Sequence, residues 1–142
     1  MSKMTIELDA NPIQSSLVHI NYMLKLIQDK EDNFSSYSVI SFSLKEEGKL
    51  IGGISGWHNL DFSYIEAIWV LKEKQKKGNA KDLLCEFEAK SLIEGKKYVL
   101  TSTHSVSGSI NFWLKSNYQI IHQTPASDKG VIIYYLMKRL KV

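Results

Sequence analysis

The segment Gln75-Lys76-Lys77-Gly78-Asn79-Ala80 places two small residues, with lysines before them, where a stretch of helical spacing begins. The first amides of a helix have no acceptor within it and carry the positive end of the helix dipole, so small residues there let phosphate oxygens approach the backbone. By itself a Gly-x-Ala turn before a helix more often serves turn geometry. The Gly-Lys-Ser/Thr ending and the second flanking glycine of the common nucleotide-binding loops are absent. A second feature is Glu66, set in the otherwise apolar run Tyr64–Leu71. Burial there would raise its pKa toward use as a base, whereas an outward-facing Glu66 is a solvated strand residue or the partner of a neighbouring lysine. His58 and His104 follow the expected ends of two strands; a lone histidine is more often a surface or hydrogen-bonded residue, and His19 and His122 carry no functional argument. Cys85 is the only cysteine, which excludes an intrachain disulfide and a Cys-based zinc site built from one chain.

These residues need elements to hold them. Met4–Leu8 alternates weakly as a first strand, and Asn11 with Pro12 can cap a helix whose apolar positions Leu17, Ile20, Met23, Leu24 and Ile27 share one face. Asp29–Ser36 reads as a loop. Tyr37–Leu44 and Leu50–Trp57 form an expected antiparallel hairpin about the turn Glu46–Lys49, and Tyr64–Leu71 is the next strand. Asn79–Glu94 is a predicted helix with Ala80, Leu83, Leu84, Phe87 and Ser91 on one face and Gly95 as its stop. Tyr98–Thr101 is a further strand, Ile110–Lys115 a short helix, and Tyr118–Gln123 and Val131–Met137 close the chain. The basic segment therefore lies between a strand and a helix.

In that order, the run Ile68-Trp69-Val70 through Gln75-Lys76-Lys77-Gly78-Asn79-Ala80 to Leu83-Leu84 resembles the signature of the GNAT N-acetyltransferase superfamily: a strand ending in Val, polar residues, Gln/Arg-x-x-Gly-x-Gly/Ala and Leu-Leu in the helix. Phe112-Trp113-Leu114-Lys115-Ser116-Asn117-Tyr118 is similar to the family's Phe-Tyr-x-Lys-x-Gly-Tyr segment, and Tyr134–Leu140 to its last strand. The likeness runs from about Lys49 to Leu140 and is faint before it. It implies an α/β GNAT fold over residues 1–142 as a single domain: a mixed, mostly antiparallel sheet of about six or seven strands with flanking helices, and acyl-CoA between the splayed fourth and fifth strands.

It also implies direct attack of an acceptor amine on the thioester, without a covalent enzyme intermediate. In those roles the amides of Gln75, Lys76, Lys77, Gly78, Asn79, Ala80 and Lys81 would hold the pyrophosphate, with the Lys74, Lys76 and Lys77 side chains as charge partners. The backbone of Val70 would pair with pantetheine, and the N–H of Val70 or Leu71 would face the developing oxyanion. An acceptor ammonium must lose a proton before it attacks, and Glu66 is the first choice as base, with His58 and His104 as second choices. Three departures stand out. Trp113 replaces the tyrosine thought to protonate the departing thiolate; Asn117 replaces a glycine, in a residue type that tolerates the left-handed conformation; and the family's Asn or Gln facing pantetheine has no clear counterpart in Thr103–Ser109, where a serine is the available substitute.

The 142 residues carry a net charge of +3, a mild surplus that suits a polyanionic co-substrate and is too small and scattered for a nucleic-acid face. No apolar run has the length of a membrane span, and the chain reads as soluble and cytoplasmic. The expected activity is acetyl transfer from acetyl-CoA to a primary amine of a small molecule or peptide, with no resident metal, no nucleic acid and no membrane, and with a homodimer left open. The rival is an inactive GNAT domain that binds acyl-CoA as a sensor or assembly module, a reading that Trp113 favours. A nucleic-acid binder using Trp57, Trp69, Trp113 and the lysines is the weakest of the three, because aromatics inside strands more often belong to a core.

Overall fold

Alternation decides which side of each strand is buried. In β2 (Ser38–Glu46), Ile40, Phe42 and Leu44 point into the core while Ser41 and Ser43 take the other face. The computed structural model describes residues 3–9 and 38–141, so the helix expected after Pro12, the loop Asp29–Ser36 and Tyr37 lie outside the described residues. The other strands are β1 (Met4–Leu8), β3 (Lys49–Asn59), β4 (Phe62–Val70), β5 (Tyr98–His104), β6 (Gln119–Pro125) and β7 (Ile132–Arg139), with helices α1 (Asn79–Ile93) and α2 (Ile110–Lys115). The β2–β3 turn is made by Glu47 and Gly48 at φ 52° and 78°, the paired positive values that suit the twist of a two-residue hairpin.

The seven strands form one sheet in the order β1-β2-β3-β4-β5-β7-β6. All neighbours are antiparallel except β4 and β5. A parallel pair requires a crossover, and α1 supplies it by lying across β2, β3 and β4. Its Leu83, Leu84, Phe87 and Ser91 are buried; burial of each large apolar side chain stabilises the fold by about 1.5–3 kcal/mol. The helix ends where expected, with Gly95 at φ 79° and its N–H on the Leu92 carbonyl. Asn117, at φ 71°, adopts the left-handed turn anticipated for it.

Two strands run further than their sequence pattern suggests. His58 pairs with Ser63 and Ser38 inside the sheet, and His104 pairs with Ile133 as the last residue of β5, because partner strands continue to offer hydrogen bonds there. Neither histidine therefore lies beyond a strand.

One irregularity shapes the centre of the sheet. Gly56 pairs with Ile65 but Ser55 with Ala67, so Glu66 is an extra residue on β4. Before it Ser63 and Ile65 face α1; after it the inward positions are Ile68 and Val70. Gly56 makes this bulge feasible, since a Cβ there would lie 1.9 Å from the Tyr64 carbonyl oxygen.

Candidate active site

The parallel ladder between β4 and β5 stops after Ile65–Thr101, although β4 continues to Val70 and β5 to His104. Beyond that pair the strands part, and a cleft of about 790 Å³ lies between Ile68, Trp69 and Val70 on one side and Ser107–Ser109, Phe112, Lys115 and Ser116 on the other. Gln75, Lys76 and Gly78–Lys81 complete its lining at the start of α1.

Backbone geometry fixes which groups of β4 face this gap. Leu71 N–H donates to the Ile51 carbonyl at 2.9 Å. Hydrogen bonds alternate along an antiparallel pair, so the N–H and C=O of Val70 point away from β3 and into the cleft. Of the two amides named from the sequence, Val70 faces the gap and Leu71 does not. The Val70 carbonyl accepts the Gln75 side-chain amide at 2.8 Å.

The basic segment begins with a 3₁₀ turn, Lys72–Lys74. Lys76 and Gly78 then take positive φ, 61° and 83°, and Asn79 Nδ2 donates to the Lys74 carbonyl at 2.9 Å, which fastens the loop from beneath. The α1 amides after Gly78 precede Asp82, whose N–H is the first to find an acceptor in the helical pattern, the Gly78 carbonyl. The lysines divide. Lys74 is ion-paired with Glu46 at 2.6 Å, Lys77 is exposed outside the lining, and Lys76 and Lys81 line the cleft. Lys115, which sequence reasoning assigned no role, faces them from α2; only its place in the Phe-Trp-x-Lys segment signals it.

Glu66 sits at the bulge, one residue past the last β4–β5 pair and two before Ile68. Its Oε2 is buried with no hydrogen-bond partner among the described residues, and burial raises its carboxyl above the ordinary carboxylate range. The histidines stand elsewhere. His58 is buried on the α1 face: Ser91 donates to the Phe87 carbonyl and Ser63 to Ser91, so His58 Nδ1, 2.6 Å from Ser63 Oγ, carries the proton. Its Nε2 is buried without a partner, and burial, followed by Lys96, lowers its pKa to about 4. His104 is exposed, and neither ring lines the cleft.

Trp113 is 3% exposed and packs edge-on against Phe112 and Tyr118, with centroids 5.1 and 5.0 Å away. The indole therefore belongs to the core. Tyr118 donates its hydroxyl to Glu88 Oε2 at 2.8 Å, and burial, then Glu88, holds its phenol protonated well above the usual range. Neither ring lines the cleft. Among the described residues no cluster of His, Cys, Asp and Glu is placed to hold a metal ion, and no helix is long and apolar enough to cross a membrane.

The sequence model of the acetyltransferase (GNAT) family matches residues 7–118. The chain belongs to the GNAT acetyltransferase family. Among curated proteins none matches it. Solved GNAT structures share the fold. A Bacillus cereus acetyltransferase is 22% identical, with TM-score 0.70 over 93% of this chain and 95% of its own. A GNAT family acetyltransferase from Elizabethkingia anophelis with acetyl-CoA bound is 18% identical, with TM-score 0.67 over 96% and 98%. The ribosomal-protein-S18-alanine N-acetyltransferase from Escherichia coli is 12% identical, with TM-score 0.68 over 99% and 96%. The seven-stranded mixed sheet with its parallel β4–β5 pair is the GNAT fold expected from the sequence.

Proposed function

We propose that this GNAT protein moves an acetyl group from acetyl-CoA to a primary amine of a small molecule or peptide, by direct attack of the amine with Glu66 as the base. The observation that carries the reading is the position of Glu66: an unpartnered, partly buried carboxylate on the residue where β4 leaves β5, two residues before Ile68 of the cleft lining and not itself part of that lining. Burial raises its pKa, which makes the carboxylate a better proton acceptor.

The cleft suits the co-substrate. The first amides of α1, from Asn79 to Lys81, would receive the pyrophosphate, with Lys76 and Lys81 neutralising its charge. The Val70 carbonyl already holds the Gln75 side-chain amide, and the Val70 N–H, which faces the cleft, would meet negative charge as it gathers on the acyl oxygen. Acetyl-CoA supplies the activated thioester; the protein's part is to bind it, orient it and take the amine's proton.

The inactive acyl-CoA-binding module is the second reading, and the burial of Trp113 together with the engagement of Tyr118 favours it. Two measurements test both. Acetyl-CoA should raise the melting temperature, because a ligand that binds only the folded state stabilises it. With an amine that turns over, Glu66→Gln should lower the rate by about 10²-fold or more while leaving that thermal shift nearly intact. Binding without turnover across a broad amine panel would favour the module, and an unchanged rate in Glu66→Gln would remove Glu66 as the base.

A further inference from the structure

Resting on the acetyl-transfer reading above, we infer that Trp69 selects the acceptor: a monoamine carrying a flat aromatic ring a short chain away from its nitrogen. Position comes first. Ile65 and Ile68 face the core under α1, so Tyr64, Glu66, Ala67 and Trp69 take the opposite side of β4. Trp69 lies three residues beyond Glu66, about 10 Å along the strand. It directly precedes Val70, whose N–H faces the cleft.

An indole is out of keeping with so central a place. Trp69 is 43% exposed although β4 is the middle strand of the sheet, and it lines the cleft. β3 is shaped to receive it. Gly53 is its cross-strand partner, and a Cβ on Gly53 would lie 3.1 Å from the indole Nε1 and 3.6 Å from Cε2. The ring is therefore supported by bare backbone on the β3 side and keeps much of its remaining surface open. Ala67, exposed between Glu66 and Trp69, adds only a methyl group, so β4 leaves a clear apolar step between carboxylate and ring. On the other side of Glu66, Tyr64 reaches β5 with its hydroxyl 3.0 Å from Ser102 Oγ.

The ligand class follows from these surfaces. An open aromatic ring favours a second ring, which stacks or meets it edge-on with a gain beyond the area buried. An indole also attracts cations, but the cleft lining holds Lys76, Lys81 and Lys115 and no carboxylate to receive a second ammonium. A polyhydroxylated amine would lay its hydroxyls on the indole and the Ala67 methyl, where their hydrogen bonds to water are poorly replaced. An amine with its nitrogen at Glu66 and its ring on Trp69 uses both ends of the step.

The test compares acceptors on the full chain. With acetyl-CoA saturating, kcat/KM is measured for phenethylamine, 2-cyclohexylethylamine, ethylamine, ethanolamine and putrescine in the parent, Trp69→Ala and Trp69→Phe. In the parent phenethylamine should lead, by about tenfold over its cyclohexyl analogue. Trp69→Ala should lower the phenethylamine value by about tenfold and the ethylamine value far less, and Trp69→Phe should keep most of the preference. The acetyl-CoA thermal shift should persist in both variants. A parent that prefers putrescine or ethanolamine, or acetylates none of the five, would overturn the proposal. So would an equal loss on every amine in Trp69→Ala, which would make the indole a cover for Gly53, or loss of the thermal shift, which would make it a cofactor contact. Failure of the parent to bind acetyl-CoA would be a different result and would remove the cofactor reading itself.

Discussion

Trp113 and Glu66 show how little a residue's type says before its surroundings are known. At position 113 an aromatic ring belongs to a helix of six residues, where the family's tyrosine would stand. The structure turns it inward against Phe112 and Tyr118. Trp113→Tyr should therefore restore no acid. It should leave a smaller ring and a hydroxyl in an apolar site, costing about 1–3 kcal/mol, with no gain in turnover. Thermal unfolding and a steady-state rate would check this, and a rise in kcat would show that a phenol here reaches the cleft after all. Glu66 went the other way, since an acidic residue within an apolar strand was already a visible anomaly. The histidines were expected just past strand ends and lie within strands, because strand ends depend on partners that a local pattern does not contain.

At the scale of elements, the site depends on a single extra residue in β4. The bulge turns the inward set from Ser63 and Ile65 to Ile68 and Val70, and leaves Glu66 unpaired as the sheet opens. Gly56 allows it by letting the β4 backbone approach within a distance no side chain tolerates. Gly56→Ala should force the strands apart, destabilise the fold by about 1–3 kcal/mol and lower turnover by displacing Glu66. Denaturant unfolding and the rate together test this; a variant as stable and active as the parent would mean that the bulge is not held by this approach. Most strands and both described helices were legible because alternation and three-to-four spacing persist along them, and the basic loop was legible because small residues, charge and a helix start coincide. The bulge was not: its only trace is that Ile65 and Ile68 are three apart in a strand that otherwise alternates by two. The splay was expected only through the family resemblance and not from either strand's pattern, because it arises where hydrogen bonding between β4 and β5 ceases, which is a property of two strands.

For the whole molecule, Glu66 and His58 give acid two separate effects. His58 joins the sheet to α1 through Ser63 and Ser91, among the charges of Lys96, Lys90 and Glu94. Its folded pKa of about 4 is below the ordinary 6.5, so between those values the unfolded chain binds more protons and stability falls as pH falls. Glu66 acts with the opposite sign. Its folded pKa is raised, so the native state holds its proton more tightly and this group costs stability as pH rises through the window above the ordinary carboxylate value. Its ionisation is also what the proposed chemistry requires, so turnover should rise with pH across that window. His58→Gln separates the two effects. It should flatten the loss of melting temperature between pH 6.5 and about 4 while leaving the acid limb of turnover in place, measured where the variant is still folded. If the melting-temperature slope survives in the variant, another group governs acid stability; if the turnover limb moves with it, His58 is coupled to the reaction despite facing α1.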